Sequence, residues 1–199
     1  MTAVSGVTDL LEERAPKMDP QDARIVSHLS RQVRRLSRML IDLLEISRMS
    51  ASEPVEAEPV DVRSLALQVV GLQGVDPGVV QGEPTVVQTD ARHLERVFDN
   101  IVRNAQTHGE GLRAIVVDSA DDAVSVHFDD AGPGVDADLA ERIFEPFVRG
   151  DQADPTSGAG LGMAIAAEHA QRIGVGLAVG RSPLGGARIS VSIPLGARP

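Results

Sequence analysis

Three short stretches carry the residues best able to do chemistry: Asn100-Ile-Val-Arg-Asn104-Ala, Asp130-Ala-Gly132-Pro-Gly134 and Gly158-Ala-Gly160-Leu161-Gly162-Met163. Asn100 and Asn104 are four apart, so on a helix they share a face. One amide oxygen can then reach a metal while the other supports the site. Asp130 follows a run of β-forming residues and precedes two glycines, a setting in which a carboxylate can accept from an exocyclic amine such as that of adenine. The third stretch is a glycine-rich turn opening a helix, where free amides and the positive dipole end favour phosphate. Each alone has an ordinary explanation: an asparagine pair, an acidic turn, a flexible loop. Their order and intervals together point to ATP.

The surrounding pattern supplies elements to hold these residues. Val62 to Val70 reads as a helix, Thr85 to Gln88 as a short strand, and Ala91 to Thr107 as a helix capped by Thr89 or Asp90 and ended near Gly109. Leu112 to Asp118 and Ala123 to Phe128 are β-branched strands joined by an acidic turn, followed by a helix over Asp136 to Ile143. Arg149 to Ala159 is polar and glycine-containing, a mobile loop. Leu161 to Ile173 is a helix, and Gly176 to Gly180 with Ala187 to Pro194 is a closing hairpin. Strands with helices laid on one face make an α+β fold, a two-layer sandwich, and not a doubly wound sheet.

Upstream, Ile25, Leu29, Val33, Leu36, Leu40, Leu43 and Ile46 recur at spacings of three and four with arginines between them. That predicts a long helix from Asp22 to Ser50 with one apolar stripe, suited to a coiled-coil seam or a helical bundle. Thr2 to Arg14 is a shorter helical stretch, so the two form a partial hairpin. Ser50-Ala-Ser-Glu-Pro-Val-Glu-Ala-Glu-Pro59 is acidic and proline-containing, an extended joint. The expected division is a truncated helical hairpin over 1–50, a linker over 51–59 and a nucleotide-binding domain over 60–199.

Composition narrows the partners. Nineteen basic against 29 acidic residues give a net charge of −10, so neither nucleic acid nor an anionic membrane is a natural electrostatic partner. Without Trp or Tyr, and with four Phe, there is no aromatic platform for single-stranded bases. Cys is absent, which removes disulfides and thiolate metal sites. No apolar run approaches the roughly 20 residues that span a bilayer, so membrane attachment is expected only through segments upstream of Met1.

From about Val60 to Pro194 the chain resembles the catalytic, ATP-binding domain of two-component sensor histidine kinases, within the wider gyrase, Hsp90 and MutL type of ATPase. Asn100 to Ala105 is similar to the N box, Asp130 to Gly134 to the G1 box, Phe144-Glu-Pro-Phe147-Val-Arg149-Gly-Asp to the F box, and Gly158 to Met163 to the G2 box. The F box is typical of the kinases and not of the related ATPases. The resemblance implies Asn104 as Mg²⁺ ligand and Asp130 as acceptor of the adenine amine. It also implies Gly132 and Gly134 lining the base, Gly160 and Gly162 close to the phosphates, and a lid over roughly Val148 to Ala159 with Arg149 contacting phosphate.

Two departures stand out. Where the family often carries Lys and an aromatic after the metal-binding Asn, this chain has Thr107 and His108. Thr107 offers phosphate a hydroxyl and no charge, and His108 offers an imidazole to stack on adenine. Hydrolytic relatives carry a Glu four residues before that Asn, where this chain has Asn100. An amide is no general base at neutral pH, and Glu95 and Asp99 are not one turn before Asn104. Phosphoryl transfer to a protein nucleophile is therefore favoured over hydrolysis.

Leu36-Ser-Arg-Met-Leu-Ile-Asp-Leu-Leu-Glu-Ile-Ser-Arg48 resembles the end of the second helix of the kinases' dimerisation and phosphoacceptor hairpin. Thr2-Ala-Val-Ser-Gly is similar to the residues that follow the phosphorylated histidine, which is expected a few positions upstream of Met1. His28 lacks the surrounding acid, Leu, Arg, Thr, Pro pattern and is read as surface or bundle edge. No histidine of this chain lies in a phosphoacceptor motif, so no autophosphorylation is expected. The implied partners are a second copy, through the hairpin, and the receiver domain of a response regulator. The implied setting is the cytoplasmic portion of a membrane-anchored protein. A protein serine kinase of the anti-sigma type and a non-catalytic, dimeric nucleotide-binding regulator are the alternative readings.

Overall fold

A computed structural model describes residues 18–49, 54–120, 122–150 and 159–195. The expected helix over Thr2 to Arg14, most of the expected lid and Gly158 lie outside the described residues. The chain divides into two compact units, Met1–Arg48 and Met49–Pro199.

In the first unit, helix α1 spans Pro20–Met49. Proline starts it where a backbone donor is not needed, and Asp19 accepts from the Gln21 amide at 2.9 Å. Of the predicted stripe, Ile25, Leu29, Leu36, Leu40 and Leu43 are each between 43% and 59% exposed and Val33 is half-buried, while the Ile46 side chain lies outside the described residues. His28 is exposed as well.

The second unit starts with β1 (Glu58–Asp61), α2 (Val62–Leu72), a 3-10 turn at Pro77–Val79, β2 (Val80–Gly82), β3 (Val86–Thr89) and α3 (Ala91–His108). It continues with β4 (Leu112–Ser119), β5 (Ala123–Asp130), α4 (Ala137–Arg142), α5 (Gly162–Arg172), β6 (Gly176–Arg181) and β7 (Ala187–Pro194). β1 pairs antiparallel with β3 in a two-stranded sheet, and five strands form the main sheet in the order β2-β4-β5-β7-β6. β2 runs parallel to β4, and the other pairs of that sheet are antiparallel.

Alternation decides which face of the main sheet is covered. Val124, Val126 and Phe128 of β5, with Ile189, Val191 and Ile193 of β7, turn to one face and are buried. They share one hydrophobic cluster with Leu94, Val97, Phe98 and Ile101 of α3 and with Leu65 and Val69 of α2, so the helices form the second layer. Phe98 meets Phe128 edge-on at 5.1 Å between ring centres. Truncating such a buried ring costs about 3–5 kcal/mol. The outcome is the two-layer α+β arrangement that the pattern predicts.

Carboxylates fix where helices begin. Asp61 accepts from the amides of Arg63 and Ser64 at the start of α2, and Asp90 accepts from those of Arg92 and His93 at the start of α3. The differences from expectation are local. The expected joint ending at Pro59 runs into β1 from Glu58, and the strand placed at Thr85 to Gln88 lies at Val86–Thr89. β2 carries no pattern of its own; it is three residues long and is defined by its pairing with β4.

Candidate nucleotide site

Helix α3 presents the two asparagines differently. Asn100 is 2% exposed. Its Nδ2 donates to the Arg96 carbonyl at 2.8 Å, and its Oδ1 accepts from Arg103 Nη2 at 2.6 Å. The same Oδ1 lies 3.4 Å from where a Cβ on Gly162 would stand, so Asn100 joins the N-box helix to the start of α5. Asn104 is half-buried, and its amide bonds to no other described residue. Of the two, only Asn104 keeps an uncommitted amide oxygen for a metal.

Thr107 differs from its sequence expectation. Its hydroxyl donates to the Arg103 carbonyl at 2.8 Å, so the single hydroxyl proton is spent on its own helix. His108 closes α3, where partial desolvation first and the Arg149 guanidinium second push its pKa below the usual histidine value. The Arg149 side chain itself packs on the G2 turn, its Cγ 3.1 Å from where a Cβ on Gly160 would stand.

Asp130 ends β5 and is 7% exposed. Oδ1 accepts from the Gly132 amide at 3.1 Å and the Ala187 amide at 2.8 Å. Oδ2 accepts from no described residue and faces the Cα of Gly109, where a Cβ would collide with it. Burial raises the carboxyl's pKa, the two amides oppose that, and neighbouring Asp129 adds to the rise. One oxygen is thus fixed by the backbone while the other remains an acceptor. A Cβ on Gly132 would stand 2.8 Å from the Gly109 Cα, so the G1 turn and the end of α3 touch backbone to backbone. Gly134 has a φ of +85°.

The F and G2 boxes meet directly. The Phe147 amide donates to the Gly160 carbonyl at 2.9 Å. Gly160 has a φ of +72°, and a Cβ there would stand 2.6 Å from the Val148 carbonyl, so only glycine fits. Phe147 itself is left-handed, with φ +65°, and its ring is 64% exposed. A bulky residue in that region is strained, a feature that gathers at functional sites. Phe144 packs against the core. Leu161 and Met163 are buried, so their side chains anchor α5. No side chain caps the start of α5 among the described residues, which leaves its first amides for an anion.

The fold therefore gathers Asn100, Asn104, His108, Asp130, Gly132, Arg149, Gly160 and Gly162 around the junction of α3, the G1 turn and the start of α5. Sequence reasoning missed Gly109 and Gly186, the two glycines that Asp130 needs; a Cβ on either would collide with its carboxylate. Gly109 reads only as a helix end and Gly186 only as a turn. It also missed two supports. His93 and His169 are buried and bring Nδ1 to Nδ1 at 2.7 Å between α3 and α5. Arg188 holds Asp129 through Nε at 2.7 Å and Nη2 at 2.6 Å, a fork that steadies the strand end carrying Asp130.

Known proteins share this fold. Residues 89–197 match the family described as Histidine kinase-, DNA gyrase B-, and HSP90-like ATPase. The probable sensor histidine kinase TcrY of Mycobacterium tuberculosis is 30% identical over 98% of this chain and 43% of its own length, so the chain spans less than half of that relative. The crystal structure of full-length ShkA in complex with AMPPNP superposes with a TM-score of 0.70 at 26% identity, over 97% of this chain and 43% of that one. The ATP-binding domain of PrrB from Mycobacterium tuberculosis superposes with a TM-score of 0.58 at 26% identity, over 71% of this chain and 99% of that one. With the match covering more than half of its length, the chain belongs to the histidine kinase-, DNA gyrase B- and HSP90-like ATPase family, and within it to the catalytic part of the sensor histidine kinases.

Proposed function

We propose that this chain binds Mg²⁺-ATP between α3, the G1 turn and the start of α5, and that the whole protein transfers the γ-phosphoryl group to a histidine. The observation that carries this reading is Asp130, with one oxygen fixed by two amides and the other left as an acceptor. Oδ2 takes the adenine amine, and His108 stacks on the base. Gly160, Gly162 and the first amides of α5 approach the phosphates with Arg149 beside them, and Asn104 holds the metal. Bound Mg²⁺ supplies charge neutralisation across the phosphates. The residues present fit it, because Asn104 alone of the asparagine pair has a free amide oxygen.

In the transfer, the bond from the γ-phosphorus to the β-phosphate bridging oxygen breaks and a phosphorus–nitrogen bond to an imidazole forms, with ADP leaving. Asn100 stands where a basic carboxylate would be, and an amide is no general base for water. From the histidine, the phosphoryl group passes to an aspartate of a response regulator. The stripe of α1 pairs with a second copy, and the whole protein is anchored in the plasma membrane with this portion in the cytoplasm. No described helix is long and apolar enough to cross a membrane.

The test supplies γ-labelled ATP, Mg²⁺ and a separately produced helical hairpin bearing the phosphoacceptor histidine. The hairpin is expected to gain acid-labile label only when this chain is present. Nucleotide binding without any transfer would favour the non-catalytic regulator, and acid-stable label on serine would favour the anti-sigma type of kinase.

A further inference from the structure

The N-box position that gives the family a cation is Thr107 here, and its hydroxyl is committed to the Arg103 carbonyl. In a chain of net charge −10, a triphosphate needs local positive charge from another residue. Arg149 stands at the Gly160 end of the G2 turn. At Gly162, Arg103 reaches back along α3 and places Nη2 at 2.6 Å from Asn100 Oδ1, the oxygen packed against Gly162. Its guanidinium therefore lies beside the uncapped start of α5.

Arg103 is also free to change partner. Nη2 is 3.3 Å from Asp99 Oδ2, in a pair whose side chains are 40% and 32% exposed. A pair so exposed contributes little. Asp99 does not depend on it, because its Oδ1 accepts from Gln73 Nε2 at 2.8 Å. Nε and Nη1 of Arg103 donate to no described residue, so they are available to phosphate oxygens in the geometry that guanidinium groups favour.

We infer that Arg103 is the second cationic contact to the β- and γ-phosphates, replacing from one helical turn earlier the charge that Thr107 lacks. This rests on the nucleotide-site reading above. The sequence hides it because Arg103 sits between the two asparagines at a position where an arginine reads as solvated helix surface.

The test measures binding of Mg²⁺-ATP and of adenosine to the 199-residue chain, comparing wild type, Arg103→Gln and Arg103→Lys, with thermal unfolding recorded for each. Arg103→Gln is expected to weaken ATP about ten-fold, as the loss of one charge-assisted hydrogen-bond donor implies, and to leave adenosine unchanged. Arg103→Lys is expected to restore most of the ATP affinity, and the salt dependence of ATP binding should be shallower in Arg103→Gln than in wild type. An unchanged ATP affinity, or an equal loss for ATP and adenosine, overturns the inference. Wild type that binds neither ligand overturns the nucleotide reading itself and this inference with it.

Discussion

Asn100 and Asn104 are the same side chain four residues apart, yet the fold leaves them different work. Asn100 is buried, its amide held by Arg96 and Arg103 and packed against Gly162, while Asn104 is uncommitted. Asn104→Ala is therefore expected to remove most of the Mg²⁺ dependence of ATP binding, while adenosine affinity stays as it was. Groups that merely support a metal ligand are worth about 10–100-fold in metal affinity, so the loss should be at least ten-fold, read by titrating ATP with and without a chelator. Identical Mg²⁺ dependence in both proteins would remove Asn104 from the metal. The spacing of the asparagines and the glycines around Asp130 were legible because they are local in sequence. Gly109, Gly186 and Arg103 were not, since each matters only through a contact with a distant stretch or a side chain's direction.

Among the elements, α3 is the one on which the site depends most, and its start is set by a single carboxylate. Burial pushes Asp90 up, but hydrogen bonds from the Glu56 amide, the Arg92 side chain and the His93 amide outweigh it and hold the pKa at about 2. A folded pKa below the ordinary value of 3.8 means that this stability is present above pH 3.8 and is lost as pH falls toward 2. Asp90→Ala should cost about 1–2 kcal/mol by loss of the cap and flatten the acid limb of the unfolding profile; an unchanged midpoint in urea would contradict it. The second constraint is the His93 and His169 pair between α3 and α5. Burial first, then His169, lowers the pKa of His93; Arg172 and Arg92 act the same way, and Asp90 opposes them. The unfolded state therefore takes up the proton first, so stability falls as pH drops below about 6.5. Burial disfavours charge on His93 at the 2.7 Å contact, so acid should loosen the junction of α3 and α5. His93→Gln is expected to flatten the melting-temperature profile between pH 7 and pH 5, roughly the range around the unfolded histidine value; a slope equal to wild type would show the pair to be inert. Periodicity located α3 and α5 because their apolar faces repeat. It missed β2, whose three residues take their conformation from β4, and it could not foresee that two histidines 76 residues apart would meet.

For the molecule as a whole, α1 and the second unit make separate demands. α1 leaves Ile25, Leu29, Leu36, Leu40 and Leu43 about half exposed, and a second copy is the partner proposed to cover them. Sedimentation is expected to show association that rises with concentration, and Leu36→Glu with Leu40→Glu should abolish it. A wild-type monomer independent of concentration would refute pairing through this stripe. The second unit carries the proposed nucleotide site. The most direct test is calorimetric titration of wild type and Asp130→Asn with Mg²⁺-ATP and with ADP. Asp130→Asn keeps the side chain's shape but replaces one acceptor with a donor facing the adenine amine or the backbone amides, a mismatch worth about 1–3 kcal/mol. The expected result is saturable binding of both nucleotides by wild type and a loss of about ten-fold or more for both in the variant. Equal affinity of the two proteins for ATP would contradict it.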